Sequence, residues 1–308
     1  MPSRNEVTGE AAGEVRQLVP DIETLARRLA DVDYLVDEGL ATSLFLSVRL
    51  PQPLLLEGEA GVGKTEAANA LALVLDTPLI RLQCYEGIDA AEALYEWNYP
   101  RQLLSIRLAD SRDTPLGEEE LFGPDYLIAR PLLRALQHPG PRPAVLLIDE
   151  IDRADDEFEA FLLELLAEAS VTIPELGTVR ATHPPIIVLT SNRTRDLHDA
   201  VKRRCLYHRI SYPTPAREVE IIRRRVKGSS ETLAVQVANA VSRMRSSDVQ
   251  KPPGIAEAID WLAALSLLGI EQLDAAAVER TLGSVLKYSE DQDVIRAAGL
   301  EQLVGADD

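Results

Sequence analysis

The stretch Leu54 to Thr65, LLLEGEAGVGKT, constrains this chain more than any other. A short apolar run leads into a glycine-rich turn that ends in Lys-Thr, and the helical pattern AANALALVL follows directly. The spacing Gly58-x-x-x-x-Gly63-Lys64-Thr65 between a strand and a helix predicts a phosphate-binding loop. Gly58, Gly61 and Gly63 let the backbone curl so that successive N–H groups point inward, and the following helix adds its positive N-terminal end. That nest suits a di- or triphosphate, cradled by Gly58, Glu59, Ala60, Gly61, Val62, Gly63, Lys64, Thr65 and Glu66. Lys64 supplies a mobile charge to the β- and γ-phosphates, and the Thr65 hydroxyl ligates Mg²⁺.

A chain of 308 residues can bury a real core, and its length predicts two domains. The formal charge of −18 argues against a general affinity for nucleic acid or for anionic membranes, which need a basic footprint. Cys84, Cys205 and four scattered histidines give neither a disulfide framework nor a paired metal-ligand spacing, which fits a cytoplasmic location. No run approaches the roughly 18 apolar residues of a membrane span, so stable membrane insertion is not expected.

Residues 1–20 mix Gly, Glu, Ser and Asn without apolar period and read as a mobile tail. A short helix is expected from Asp21, and a second from Asp33 to Arg49, stopped by Pro51 and Pro53, which would shape a pocket for a base. Four further segments read as buried parallel strands: LIRLQC (79–84), VLLI (145–148), IIVLT (186–190) and LYHRI (206–210). Helical patterns separate most of them, so residues 21–213 predict a doubly wound α/β domain with its ligand at the carboxyl ends of the strands. Between Ile88 and Pro143 the chain exceeds a simple crossover and holds Trp97 and Tyr99, either buried under an insert or offered to a client. Residues 214–308 read as an all-helical domain, with helices at 216–226, 231–245, 255–268 and 275–286.

VLLIDEIDR, residues 145–153, is an apolar strand ending in two acids, the expected partner of a phosphate loop. Asp149 would hold the Mg²⁺ shell, and Glu150 would take a proton from an attacking water. In the next segment Phe158, Phe161, Leu162, Leu165 and Leu166 fall on one helical face as core, while acids crowd its first turn and favour the dipole. Asn192, after IIVLTS, would emerge beside Asp149 if the two strands are neighbours. It then orients water or senses the γ-phosphate, or else caps a loop turn. Residues 145–175 hold ten acids and one Arg, whereas 193–227 hold eleven Lys or Arg and four acids. Opposed faces of this kind suit contact between subunits, with an Arg such as Arg204 reaching a neighbour's γ-phosphate; the alternative is a solvated basic surface.

Together these residues resemble the AAA+ ATPases, and within them the MoxR-like branch, over nearly the whole chain. GEAGVGKTEAANALA, LLIDEIDRADDEFEAFLLELL, VLTSNRTRDLHDAVKRRCLYH and KPPGIAEAIDWLAAL look like the CoxD subgroup, associated with maturation of carbon monoxide dehydrogenase. The resemblance implies a P-loop NTPase sheet with a C-terminal helical lid, hydrolysis of ATP with Mg²⁺, and a chaperone that remodels or matures a metalloenzyme. It implies that Lys64 and Thr65 are Walker A residues, Asp149 and Glu150 Walker B, Asn192 sensor 1, and Arg204 the arginine finger, with Arg203 competing. It also implies a hexameric homo-oligomer, an insert near 94–106, and a partner with a von Willebrand A domain. Where MoxR-like proteins commonly carry a sensor 2 Arg within Ser-Pro-Arg, this chain has Pro253-Gly254-Ile255, so either Lys251 substitutes or the lid reports nucleotide differently. An activase of another enzyme, a nucleic-acid motor and a nucleotide-binding scaffold that does not turn over are the competing functions; charge disfavours the motor and Glu150 the scaffold.

Overall fold

The computed structural model describes residues 10–50, 52–110, 116–174 and 176–305. Its apolar runs pair as strands in chain order: β1 Leu54–Glu57, β2 Leu79–Gln83, β3 Tyr95–Trp97, β4 Leu127–Ala129, β5 Val145–Asp149, β6 Ser170–Ile173, β7 Gly177–Arg180, β8 Ile186–Ser191 and β9 Leu206–Arg209. Five of these form a parallel sheet in the order β2-β5-β8-β1-β9. The three inner strands are buried along their whole length, as strands covered on both faces must be, and read as near-continuous apolar runs. The edges differ from expectation. LYHRI is not a buried strand: Leu206–Arg209 alternates between half-buried and exposed because only β1 flanks it.

The register, more than the composition, prepares the chemistry. Gln83 lies opposite Asp149, Ile148 opposite Leu189, and Glu57 opposite both Ser191 and Arg209. One carboxyl edge of the sheet thus collects its polar residues in a row, where α/β sheets bind ligands.

Two antiparallel hairpins stand outside the main sheet, β3 with β4 and β6 with β7. The first brackets the segment where an insert is expected, and the helix Tyr99–Asp110 follows β3. Trp97 and Tyr99 have opposite fates. Trp97 is buried edge-on against Tyr95 and Phe122, whereas Tyr99 is exposed. A client could touch only the second.

Two expectations near the N-terminus change. Residues 1–9 of the expected tail lie outside the described residues, but Glu10–Leu18 is a helix. Val15 and Val19, four apart and both buried, give it an apolar edge. The helix expected from Asp33 begins only at Glu38, because Asp33 adopts a positive φ and the Asp37 carboxylate caps the helix by accepting from Leu40 N–H at 2.7 Å.

The C-terminal helices are Pro215–Arg225, Glu231–Arg245, Ile255–Leu267, Ala275–Val285, Ser289–Ala298 and Glu301–Val304. Thr214, Ser230 and Asp274 cap three of them with side-chain oxygens. Their core closes on Trp261, whose indole N–H donates to Thr281 Oγ1 at 2.7 Å, so the ring is buried with its polar edge satisfied. Arg245 and Glu218 form a buried two-pronged ion pair at 2.7 and 2.8 Å, and the guanidinium stacks over Tyr212.

The described residues group into two compact units. Those up to Val32, with Val36–Glu57 and Thr65–Arg209, form the sheet unit; Asp33–Leu35, Gly58–Lys64 and the residues from Ile210 onward form the helical one. The phosphate-loop glycines therefore cluster with the C-terminal helices.

Candidate active site

The loop 58–64 is held by its glycines for identifiable reasons. Gly61 and Gly63 take φ of 75° and 93°, a region in which side chains are strained. A Cβ on Gly58 would run into the Ile210 carbonyl oxygen. Gly61 and Gly254 are close enough that a Cβ on Gly254 would lie 2.6 Å from Gly61 Cα, and Ile255 N–H donates to Gly61 O at 2.9 Å. Lys64 is buried with its ammonium folded back on the loop, donating to the carbonyls of Gly58 and Glu59 at 2.8 and 2.7 Å. The Tyr34 hydroxyl donates to Gly63 O at 3.2 Å. Lys251 is exposed and offers its backbone N–H to Asp291.

Thr65 belongs to the sheet unit, where the acids lie. Its hydroxyl donates to Asp149 at 3.0 and 3.2 Å, joining residues 84 apart in sequence. Asp149 is almost wholly buried and also accepts from Thr190 Oγ1 at 2.5 Å and from Arg81 Nε and Nη2 at 2.9 and 2.6 Å. Thr190 Oγ1 in turn accepts from Glu150 N–H at 2.9 Å. Glu150, one residue on, is different. Its φ of 56° and ψ of 50° put a non-glycine residue in the left-handed region, which costs on the order of 1–3 kcal/mol and concentrates at functional positions. The carboxylate is a third exposed and accepts from Gln83 Nε2 at 3.0 Å and Arg153 Nη1 at 3.2 Å.

Asn192 reaches the same carboxylate, its Nδ2 lying 3.5 Å from Glu150 Oε1, so the neighbouring strands do bring this amide to the acid pair. Asp152 anchors the loop beyond, accepting from Asn192 N–H, Thr194 N–H and Thr194 Oγ1. Arg204 and Arg203 do not join the cluster in this chain. Arg204 is half-buried and donates to Ala200 O at 2.8 Å, while Arg203 is largely exposed near Asp199. The basic run is also less free than its composition suggests. Arg195 pairs with the buried Glu159 and with Asp156, and Arg193 lies 3.8 Å from Glu57, so part of the charge contrast is spent within the fold.

Sequence reasoning missed Arg81, Gln83 and Thr190. Arg81 and Gln83 alternate with the apolar residues of β2, which was a visible sign of a strand with one polar face; Thr190 and Ser191 are the two hydroxyls that end the apolar run of β8. Cys84, buried behind the acids, has its thiol pushed up to about 12 by burial first and then by the charges of Asp149, Asp152 and Glu150, which makes it inert as a nucleophile.

The oxygens of Thr65 and Asp149 are hard donors of the kind magnesium takes, and Asp149 already attracts a cation in the form of Arg81. Among the described residues no cluster of three His, Cys, Asp or Glu could hold a metal. A magnesium ion bound by one or two protein oxygens together with phosphates needs none.

Residues 53–205 match the AAA domain of the dynein-related subfamily. The chain is similar to protein NorQ of Paracoccus denitrificans, 23% identical over 92% of this chain and 97% of that one. It also resembles the denitrification regulatory protein NirQ of Pseudomonas aeruginosa, 24% identical over 65% of this chain and 70% of that one. A mutant of RuvB from Thermotoga maritima aligns at 17% identity and a TM-score of 0.46, over 85% of this chain and 69% of its own.

Proposed function

We propose that this chain, with an AAA domain over residues 53–205, is a MoxR-like ATPase that uses hydrolysis of ATP to remodel a metalloenzyme. The observation that carries the reading is the bond from Thr65, next to the phosphate loop, to Asp149, with Glu150 strained one residue further and within reach of Asn192. Bound Mg²⁺ would neutralise charge on the phosphates, held by Thr65 and Asp149. Lys64 leaves its loop carbonyls for the β- and γ-phosphates. Glu150 accepts the proton of the attacking water, and Asn192 orients that water beside it. Gln83 and Thr190 position the acid pair from the flanking strands.

Arg204 is the proposed finger acting on a neighbouring subunit of a ring, with Arg203, the more exposed of the two, as its competitor. A planar guanidinium suits γ-phosphate oxygens, and fingers are worth about 10³ to 10⁵ in rate. Likeness to a protein named for regulating denitrification supports an enzyme system as the client, and net charge disfavours nucleic acid. A carbon monoxide dehydrogenase-type enzyme is the first client to try, and a von Willebrand A protein the first partner. No described helix is long and apolar enough to cross a membrane; a cytoplasmic location is part of the same proposal.

The test is phosphate release by the purified protein with DNA, RNA and candidate proteins added separately. Turnover stimulated by a protein client supports the reading; stimulation by nucleic acid alone would turn it toward a motor. Arg204→Ala should bind ATP yet hardly turn it over, and mixed rings with Lys64→Ala should regain activity. Mixed rings that stay inactive would place the finger elsewhere.

A further inference from the structure

The surroundings of Asp149 are unbalanced in an informative way. Its side chain is 3% exposed, while that of its ion-pair partner Arg81 is 52% exposed. A buried carboxylate without a counter-charge is costly, and Arg81 supplies that charge to Asp149. A guanidinium already half in water can leave with little further change in its solvation. Arg81 places both Nε and Nη2 on one oxygen, Asp149 Oδ2, at 2.9 and 2.6 Å. The same Nη2 donates to Gln83 Oε1, and Gln83 Nε2 holds Glu150 Oε2 at 3.0 Å. One side chain therefore neutralises Asp149 and, through Gln83, is tied to Glu150.

Resting on the nucleotide-site reading above, we propose that Arg81 is a resident counter-cation of Asp149 that a divalent cation must displace. Two cations cannot share one small carboxylate without repulsion, so the ion arriving with nucleotide competes with the guanidinium. Arg81 sets the metal concentration at which the site fills. Its departure also loosens the hold of Gln83 on Glu150, leaving that carboxylate to Arg153 and Asn192. Arg81 is a positioning residue: it acts through Asp149 and Gln83.

The probe is Mn²⁺, with the free ion counted by electron paramagnetic resonance in the presence of ADP. A fluorescent ADP analogue in EDTA reports nucleotide binding without metal. Arg81→Gln should bind Mn²⁺ about threefold to tenfold more tightly than wild type, the size expected for losing a half-exposed, charge-assisted competitor. Its metal-free binding of the ADP analogue should stay within about twofold, since only the metal's competitor is removed. Arg81→Lys, which keeps the charge but loses the two-pronged contact, should fall between, and serves if the Gln variant does not fold. Unchanged or weaker Mn²⁺ binding in a variant that still takes the ADP analogue would overturn the role of Arg81 alone. A wild-type protein that fails to bind the analogue at all would remove the nucleotide site, and this inference with it.

Discussion

The loop 58–64 and the acid cluster at the sheet edge solve the same problem, holding polar groups ready for a charged ligand, by opposite means. The loop does it with backbone. Its conformation follows from glycines at positive φ and from close approach to Ile210 and Gly254, and the Lys64 ammonium donates to the loop's own carbonyls. The cluster does it with side chains from three neighbouring strands: Arg81 and Gln83 from β2, Asp149 at the end of β5 with Glu150 beyond it, and Thr190 from β8 with Asn192 beyond it. A loop of this kind suits phosphate chiefly through its backbone N–H groups. The cluster holds the proposed base, Glu150, with its carboxylate a third exposed. Variants in the loop should therefore change the grip on nucleotide, and variants at Glu150 and Thr190 should change turnover.

The largest expected effect is on turnover. Glu150→Gln keeps the shape of the side chain and removes its basicity, so ATP should bind as in wild type while phosphate release falls at least about a hundredfold. Wild-type turnover in this variant would end the assignment of the base and collapse the contrast between the two regions. Lys64→Ala comes next, on the other side of the contrast. Nucleotide affinity, read with a fluorescent analogue, should weaken by about 10- to 150-fold, the equivalent of about 1.5–3 kcal/mol for a hydrogen bond to a charged group.

This difference also governs what could be read in advance. The loop is contiguous, so LLLEGEAGVGKT announces strand, turn and helix in one span, and every residue of the nest is legible there. Asp149 and Glu150 are legible because they end an apolar run. Asn192 is legible only on the condition that β5 and β8 are neighbours, which the pairing of Ile148 with Leu189 satisfies. Arg81 and Gln83 are not legible as site residues at all. Their place depends on β2 pairing with β5, and the strand order β2-β5-β8-β1-β9 is set by long-range packing that no local pattern carries. The same holds for Trp97 and Tyr99, two residues apart: one ends a strand against Phe122 and the other starts an exposed helix turn. Arg195 looked like part of a free basic face until the fold brought Glu159 to it.

Thr190→Val sharpens the comparison at smaller scale. The substitution keeps the branched shape but takes a donor from the buried Asp149 and an acceptor from the part-buried Glu150 N–H. Stability to urea should drop by about 1–3 kcal/mol, the cost of leaving such groups unsatisfied. Turnover should fall while affinity for ADP stays within about twofold, because the loop's backbone grip is untouched. A variant that loses affinity and keeps turnover would contradict the division of labour.

The smallest effect tests the loop through a residue 193 positions away from it in sequence, on the counting from Gly61 to Gly254. Gly254 has φ −83° and ψ −172°, ordinary extended backbone open to any residue, so Gly254→Ala introduces no dihedral strain. What it introduces is a methyl 2.6 Å from Gly61 Cα and 2.9 Å from Gly61 C, closer than real contacts allow. The neighbours cannot yield freely. On one side Ile255 N–H is bonded to Gly61 O and Gly254 N–H to Glu257; on the other, Pro253 O accepts from Arg245, which is itself fixed by Glu218. The loop must therefore shift by a few tenths of an ångström. Overpacking of this kind costs about 1–3 kcal/mol, and the low end applies where an N-terminal helix turn can share the movement. Affinity for the ADP analogue should weaken about fivefold, which that low end corresponds to, and turnover at saturating ATP should stay within about twofold because Glu150, Gln83 and Thr190 keep their contacts. An affinity equal to wild type would mean that the loop's shape does not depend on the Gly61–Gly254 contact, and the glycine spacing alone would then account for the grip.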